Sequence, residues 1–365
     1  MSDSLGYKVS IIVPVYNAEK YLPEAFESVK KQTIGFENIQ LIMIDDRSGD
    51  GSFGLIKAWA EQYDNVTALQ TPAGSGSASM PRNMGLDVAE ADYIMFLDAD
   101  DRLEPCAVEL LYGLITTRCV DLADAAFGEM SRKVALDKRY LDRREGLYSI
   151  VEDADEFFPI SHPLWTKIYK RSIIEDNGLR FDTKLRNGED SLFIYEYLKH
   201  AENAWHTNEL VYEYRIRESS VSHNVNKTYF SWHAAACDAI KSALDGSDRF
   251  VYYEHFIEEV AIASVDILCD TQSMDESDCK EILKLFYGHI KHIADNGLDE
   301  KVPIGKILAR DAGRDDYESY VEDFFAMRGL YRQRRDELDN IFNSRGWKLV
   351  SKLGKIKNAI TGKLK

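Results

Sequence analysis

The 365-residue sequence predicts an α/β fold, a mostly parallel sheet flanked by helices and followed by a small all-α region. Two observations carry this. Short β-branched runs alternate with helical patterns across residues 9–97, and polar residues follow each run, which lines them up along one sheet edge. The run Tyr93-Ile94-Met95-Phe96-Leu97 is apolar on both faces, as strands inside a parallel sheet are, and it leads directly into Asp98-Ala99-Asp100-Asp101.

The elements follow in order. Residues 9–15, Val-Ser-Ile-Ile-Val-Pro-Val, read as a strand ending in Tyr16-Asn17. Leu22, Ala25, Phe26 and Val29 are spaced for one buried helix face, with Pro23 tolerable only in the first turn. Leu41-Ile42-Met43-Ile44 is the next strand, and the polar turn from Asp45 to Gly51 can cap a helix from about Ser52 to Tyr63. Val66-Thr67-Ala68-Leu69 leads into the small-residue loop Ala73–Ser79, and Pro81-Arg82-Asn83-Met84-Gly85 opens a helix. In open α/β sheets ligands sit beyond the carboxyl ends of the strands, where Asp98, Asp100 and Asp101 fall. Clustered carboxylates raise one another's pKa unless a cation compensates them. Hard ions such as Mg²⁺ or Mn²⁺ take one or two carboxylates together with substrate phosphates. The local reading is a metal–diphosphate site, and the other is a solvated acidic turn.

Four segments taken together decide between these. Val13-Pro14-Val15-Tyr16-Asn17, Asp45-Asp46-x-Ser48-x-Asp50, Pro81-Arg82-Asn83-x-Gly85 and Phe96-Leu97-Asp98-Ala99-Asp100-Asp101, in this order, resemble family 2 glycosyltransferases of the GT-A, Rossmann-like fold over roughly residues 7–225. Residues 80–225 look most like bacterial enzymes that decorate cell-wall or capsular polymers, including teichoic-acid N-acetylglucosaminyltransferases. The chain departs from the family at Thr71-Pro72-Ala73-Gly74, where an Asn is usual.

The resemblance implies an inverting, metal-assisted transfer from a UDP-sugar to a glycan, wall-polymer or lipid-linked hydroxyl. Pro14 and Tyr16 would hold the pyrimidine, although Tyr16 at a strand end is also suited to core packing. Asp46 offers an acceptor for the uracil imide N–H. Arg82 is a cationic fork for a base carbonyl or a phosphate. Asp98 would contact the ribose or the metal, and Asp100 would be the principal ligand of Mn²⁺ or Mg²⁺. Asp101 reads as the cap of a helix starting near Glu104. In Asn187-Gly188-Glu189-Asp190, carboxylates open a helix whose apolar positions are Leu192, Phe193, Tyr195, Tyr197 and Leu198. First-turn carboxylates complement a helix dipole, and the resemblance adds a chemical role, with Asp190 as general base and Glu189 positioning the acceptor. Trp165 is a candidate sugar platform. Arg215 and Arg217 share one strand face; Arg217 is a phosphate candidate and His223 a metal-ligand candidate in the segment that follows.

The boundaries read as a catalytic domain over 1–226, a helical accessory domain over 227–330 and a basic amphipathic helix over 331–365. The accessory region shows helical spacing at Phe256, Val260, Ile262, Ala263 and Ile267, then at Ile282, Leu283, Phe286, Ile290 and Ile293. From Arg328 to Lys365 there are eleven Lys and Arg against three Asp and Glu, a net of +8 that leaves −25 for the rest of a chain whose total is −17. An acidic body argues against a nucleic-acid partner. In the tail, Trp347, Val350, Leu353, Ile356 and Ile360 recur at helical spacing among lysines. That pattern suits an anionic membrane surface, or a packing or coiled-coil helix in a homo-oligomer.

No run of 18 apolar residues marks a transmembrane helix. The polar, acidic start is no secretory signal, and the five Cys have no paired or metal spacing. The expected location is cytoplasmic, peripheral at the inner face of the membrane. A nucleotidyltransferase would need a Gly-rich basic loop where Pro14–Ala18 stands, and a dinucleotide oxidoreductase a Gly-x-Gly-x-x-Gly. A non-catalytic nucleotide-sugar-binding scaffold would be expected to have lost the carboxylates.

Overall fold

The structure is a computed structural model; it describes residues 6–130, 134–135, 143–216, 226–270, 274–295 and scattered positions between 317 and 333. Strands β1 (Val9–Val15), β2 (Ile39–Asp45) and β3 (Val66–Gln70) alternate with helices α1 (Leu22–Lys30), α2 (Ser52–Gln62) and α3 (Ser79–Asp87). Strand β4 (Tyr93–Phe96) follows, then β5 (Arg102–Leu103), α4 (Ala107–Thr117), β6 (Leu122–Glu129), β7 (Val134–Ala135) and β8 (Gly146–Ser149). Helix α5 (Ala154–Ser161), β9 (Lys167–Lys170), α6 (Arg171–Asp176), α7 (Glu189–Leu198) and β10 (Asn203–Tyr214) complete the sheet region. Helices α8 (Lys227–Leu244), α9 (Phe250–Asp270) and α10 (Glu276–Asp295) come after it.

The ten-stranded sheet runs β3-β2-β1-β4-β9-β6-β10-β5, with β7 beside β6 and β8 beside β10. Parallel pairing holds from β3 to β4, where helices α1 to α3 make the crossovers that parallel strands require. Beyond β4 the sheet is mixed: β6 and β10 pair in parallel, whereas β5, β7, β8 and β9 pair antiparallel with their neighbours. Strand β9 inserts between β4 and β6 antiparallel to both. The chain moves from β1 out to β3 and then back to β4 on the other side of β1, so the strand order reverses between β1 and β4. Such switch points open a crevice at the carboxyl ends of the strands.

The predicted faces are buried. Leu22, Ala25, Phe26 and Val29 of α1 pack on the sheet, with Pro23 in the first turn. All of β2 is buried, as an interior strand requires. In α7, Leu192, Phe193, Tyr195, Tyr197 and Leu198 are buried as expected. Asp101 does not cap a helix near Glu104: α4 starts at Ala107 and Asp101 is buried beside β10.

Gly85 explains one motif position. A Cβ there would run into the side chain of Ile12 on β1 and crowd Ile44 on β2, so only glycine lets α3 lie this close to the sheet. Gly85→Ala is expected to cost about 1–3 kcal/mol, as overpacking does. A urea midpoint equal to that of the unaltered protein would refute this.

The chain divides into two compact units, 1–256 and 257–365. The break falls inside α9, and α8 belongs to the first unit, whereas the sequence reading set the boundary after residue 226. In α9 the buried positions include Tyr252, Tyr253, Phe256, Ile257, Ala261, Ser264 and Leu268. Ala263 is exposed, so the apolar face lies about one position away from the predicted one. In α10, Ile282, Leu283, Phe286 and Ile290 are buried as predicted. Among the described residues no helix is long and apolar enough to cross a membrane.

Candidate active site

A pocket of about 490 Å³ opens at the switch point, and Pro14, Tyr16, Asp46, Arg82, Asp98 and Asp100 all line it. The sequence scatters these six over four segments; the sheet edge gathers them. Tyr16 is 62 % exposed at the rim, so its ring is not part of the core.

The loops are tied to one another by the polar residues of the motifs. Ser48 Oγ accepts from Asn17 N at 2.9 Å, Asn17 Oδ1 accepts from Gly49 N at 2.7 Å and Asp50 Oδ2 accepts from Glu19 N at 3.1 Å. Glu19 returns the favour to Gly51 N at 2.8 Å. Asp45 accepts from Ser48 N and from Gln70 at the end of β3. Sequence reading missed Glu19 and Asn17 because their partners lie about thirty residues downstream.

Asp46 is buried and closes the next loop. Its carboxylate accepts from Thr71 Oγ1 at 2.9 Å, from Ser75 N and Oγ, and from Gly76 N at 3.0 Å. These donors stand where a uracil imide N–H was expected. Thr71, at the family departure, is one of them, and Arg186 holds the same loop through Ser75 O.

Behind the carboxylate loop, Tyr212 and Arg215 are the supports. The Tyr212 hydroxyl accepts from Asp98 N at 3.2 Å and donates to Asp101 Oδ2 at 2.8 Å. Arg215 donates its backbone N–H to Asp101 at 2.7 Å and its Nε to the Asp100 carbonyl at 2.8 Å. Burial, with Asp98 and Asp100 alongside, pushes Asp101 up to about 8. Trp165 stacks on Tyr212 at 4.0 Å and meets Phe127 edge-on at 4.8 Å, so one face of this candidate platform already backs the loop. Arg217 and His223 lie outside the described residues, as does the tail.

Helices α3 and α7 bring in the remaining site residues. Asn83 Nδ2 donates to Phe181 O at 2.8 Å and its Oδ1 accepts from Phe181 N at 2.7 Å, pinning the 177–188 loop. Phe181 stacks on Phe193 of α7 at 4.1 Å, with Phe96 of β4 edge-on at 5.4 Å. On this aromatic floor lies Arg82, 3 % exposed, its guanidinium 5.3 Å from the Phe181 ring. Nη1 donates to Asp190 and, at 3.3 Å, to Glu189; Nη2 donates to Asp98 at 3.2 Å. Among the described residues the buried Nε has no partner. Burial opposes the arginine's charge, but Asp190, Asp98 and Glu189 outweigh it and raise its pKa. Burial lifts the Asp190 carboxyl to about 7 against the pull of Arg82, with Glu189 and Asp98 adding to the rise.

Gly188 supplies the left-handed turn, φ 78°, that starts α7. A Cβ on Gly188 would strike Ala236 of α8, and Asn187 bonds His233 of the same helix at 3.0 Å. The helix read as an accessory element therefore supports the carboxylate turn.

Among the described residues no three His, Cys, Asp or Glu side chains form a self-sufficient metal site. The pocket offers the oxygens of Asp98 and Asp100, a donor set that fits Mg²⁺ or Mn²⁺ when substrate phosphates complete the shell.

The family model described as Glycosyl transferase family 2 matches residues 10–177. The poly(ribitol-phosphate) beta-N-acetylglucosaminyltransferase TarP of Staphylococcus aureus (strain N315) is 32% identical over 244 residues, 65% of this chain and 72% of TarP. The chain belongs to glycosyl transferase family 2. The minor teichoic acid biosynthesis protein GgaB of Bacillus subtilis (strain 168) is 26% identical over 395 residues, covering 97% of this family 2 chain and 43% of GgaB. The chain thus spans less than half of that relative. In fold, the crystal structure of S. aureus TarS 1–349 in complex with UDP-GlcNAc superposes with a TM-score of 0.70 at 20% identity, over 89% of this chain and 92% of that one. The fold is therefore the GT-A-like α/β arrangement that the four motifs implied. The family match ends ahead of Glu189 and Asp190, so their roles rest on the geometry above.

Proposed function

We propose that this family 2 protein is an inverting glycosyltransferase that moves a sugar from a UDP-sugar to a hydroxyl of a wall-polymer or lipid-linked glycan. One observation carries the reading: the pocket carboxylate Asp98 and the helix-opening Glu189 and Asp190 converge on one buried arginine, and Asp100 lines the same pocket. The names of TarP and GgaB, and the UDP-GlcNAc in the TarS structure, support the donor and acceptor classes.

Pro14 and Tyr16 flank the base, and the buried Nε of Arg82 has an N–H to give to the nucleotide. Asp46 meets the uracil imide only after the Ser75–Gly76 loop gives up its place. Asp98 and Asp100 would hold a Mg²⁺ or Mn²⁺, with Arg217 and His223 as further candidates for phosphate and metal. The ion supplies Lewis-acid neutralisation of the leaving diphosphate. Glu189 orients the acceptor, and Asp190 takes the proton from its hydroxyl. The freed oxygen attacks the anomeric carbon opposite the diphosphate, the carbon–oxygen bond to UDP breaks, and the electron pair leaves with UDP. A single displacement inverts the configuration, and a retained anomeric centre in the product would rule this mechanism out.

The test is a screen of UDP- and GDP-sugars with Mn²⁺, read as released nucleotide. Release from UDP-N-acetylglucosamine or UDP-glucose above the rate with GDP-sugars is expected; release from none overturns the reading.

The basic tail from about Arg335 to Lys365 is assigned to the inner face of the membrane. Each lysine near an anionic surface contributes about 1 kcal/mol. Removing the tail is expected to release the protein from phosphatidylserine vesicles and to leave donor hydrolysis intact. Equal sedimentation of the shortened and full chains would make the tail a packing or dimerisation helix instead.

A further inference from the structure

We infer that Arg82 is a positioning residue for the base: its planar fork holds the Asp190 carboxylate in its charged, oriented state and sets its spacing from Asp98. The inference rests on Asp190 being the base and gives Arg82 a role separate from nucleotide binding. Four of its five N–H donors sit on the two Nη atoms, and these atoms face three carboxylates from two distant segments. A guanidinium has fixed angles between its donors, so both carboxylate groups are held at a set separation; a lysine would hold them by charge alone.

Arg82 is itself immobilised. It is 3 % exposed, lies over Phe181, and its neighbour Asn83 grips the backbone of Phe181 in both directions. Phe181 in turn stacks on Phe193 of α7, the helix that begins with Glu189 and Asp190. One rigid assembly therefore carries the arginine and the base together.

Charge explains why the base needs it. Burial, Glu189 and Asp98 all disfavour ionised Asp190, and Arg82 is the group that favours it. Without Arg82, Asp190 keeps its proton near neutral pH and cannot accept another.

The test compares Arg82→Gln, Arg82→Lys, Asp190→Asn and the Arg82→Gln/Asp190→Asn double variant in the full chain. Asp190 is titrated by ¹³C NMR in protein labelled at aspartate carboxyls, its signal assigned by its loss in Asp190→Asn. UDP-N-acetylglucosamine hydrolysis is followed across pH in parallel. Expected is a wild-type titration near 7, moved up by about one pH unit or more in Arg82→Gln and less in Arg82→Lys. Hydrolysis at pH 7 should fall roughly 10-fold or more and recover partly at high pH. The double variant should be no slower than Asp190→Asn, because residues that act as a unit are not additive. An unmoved Asp190 titration, or rate losses that multiply, overturns the inference. If Arg82→Gln does not fold, Arg82→Lys decides: an unmoved titration with a wild-type rate overturns the fork's role. A moved titration in a protein that hydrolyses no UDP-sugar sinks the proposed activity and leaves the arginine's hold on Asp190 standing.

Discussion

Replacing Asp190 with Asn should cut sugar transfer by roughly 10²-fold or more while leaving the fold and UDP affinity intact, the loss expected when only proton abstraction is removed. The substitution keeps the side chain's shape and one acceptor oxygen for Arg82 Nη1, and Glu189 and Asp98 remain as the arginine's counter-charges. The nucleotide pocket does not include Asp190 among its walls, so UDP binding measured by calorimetry should not change. The pH dependence follows from the raised pKa. Asp190 must be ionised to act, and its carboxyl titrates at about 7. The rate should therefore climb as pH rises through about 7 and fall away below it. A variant that transfers at near the wild-type rate would move the base elsewhere, with Glu189 the first place to look.

Asp100→Ala should abolish the enhancement of UDP binding by Mn²⁺. Asp98 and Asp100 line the pocket, whereas Asp101, the third carboxylate of the loop, is turned back to Tyr212 and Arg215. Asp98 also accepts from Arg82 Nη2, so its removal would disturb the arginine as well. Calorimetric titration of UDP with and without Mn²⁺ measures the effect. The wild type should bind more tightly with the ion, by about ten-fold or more, roughly 1.4 kcal/mol. In the variant both titrations should coincide, and an undiminished Mn²⁺ effect would exclude Asp100 as the ligand.

The first half of the fold was legible because its physics is local. Strands β1, β2 and β4 are apolar on both faces, and α1 shows its buried stripe at helical spacing. The second half was less so: nothing in Lys167–Lys170 announces that this strand will lie antiparallel between β4 and β6. The site divides in the same way. Residue types were readable, and Pro14, Tyr16, Asp46, Arg82, Asp98 and Asp100 do share one pocket. Partners were not. Arg82 reads as a fork for the nucleotide, yet its carboxylates include two more than a hundred residues away. Asp46 reads as an imide acceptor, and the backbone of Ser75 and Gly76 folding back onto it has no sequence signature. Asn83 has no role legible in the sequence, and its paired hydrogen bonds with the Phe181 backbone show why an amide, which both donates and accepts, stands there.

The packing of Gly188 and Asn187 against Ala236 and His233 bears on how such enzymes can be cut and recombined. A chain ended at residue 226 would keep every motif and the whole sheet, yet it would lose the wall against which the turn before Asp190 is pressed. Exchange of C-terminal regions between relatives is then constrained through α8 and into the start of α9, where Arg249 donates to the carbonyls of Leu198 and Ala201 and the Tyr252 hydroxyl donates to that of Ile150. A grafted helix must offer a small residue opposite Gly188 and a polar one opposite Asn187. The unit of inheritance is the sheet together with α8 and the first turns of α9.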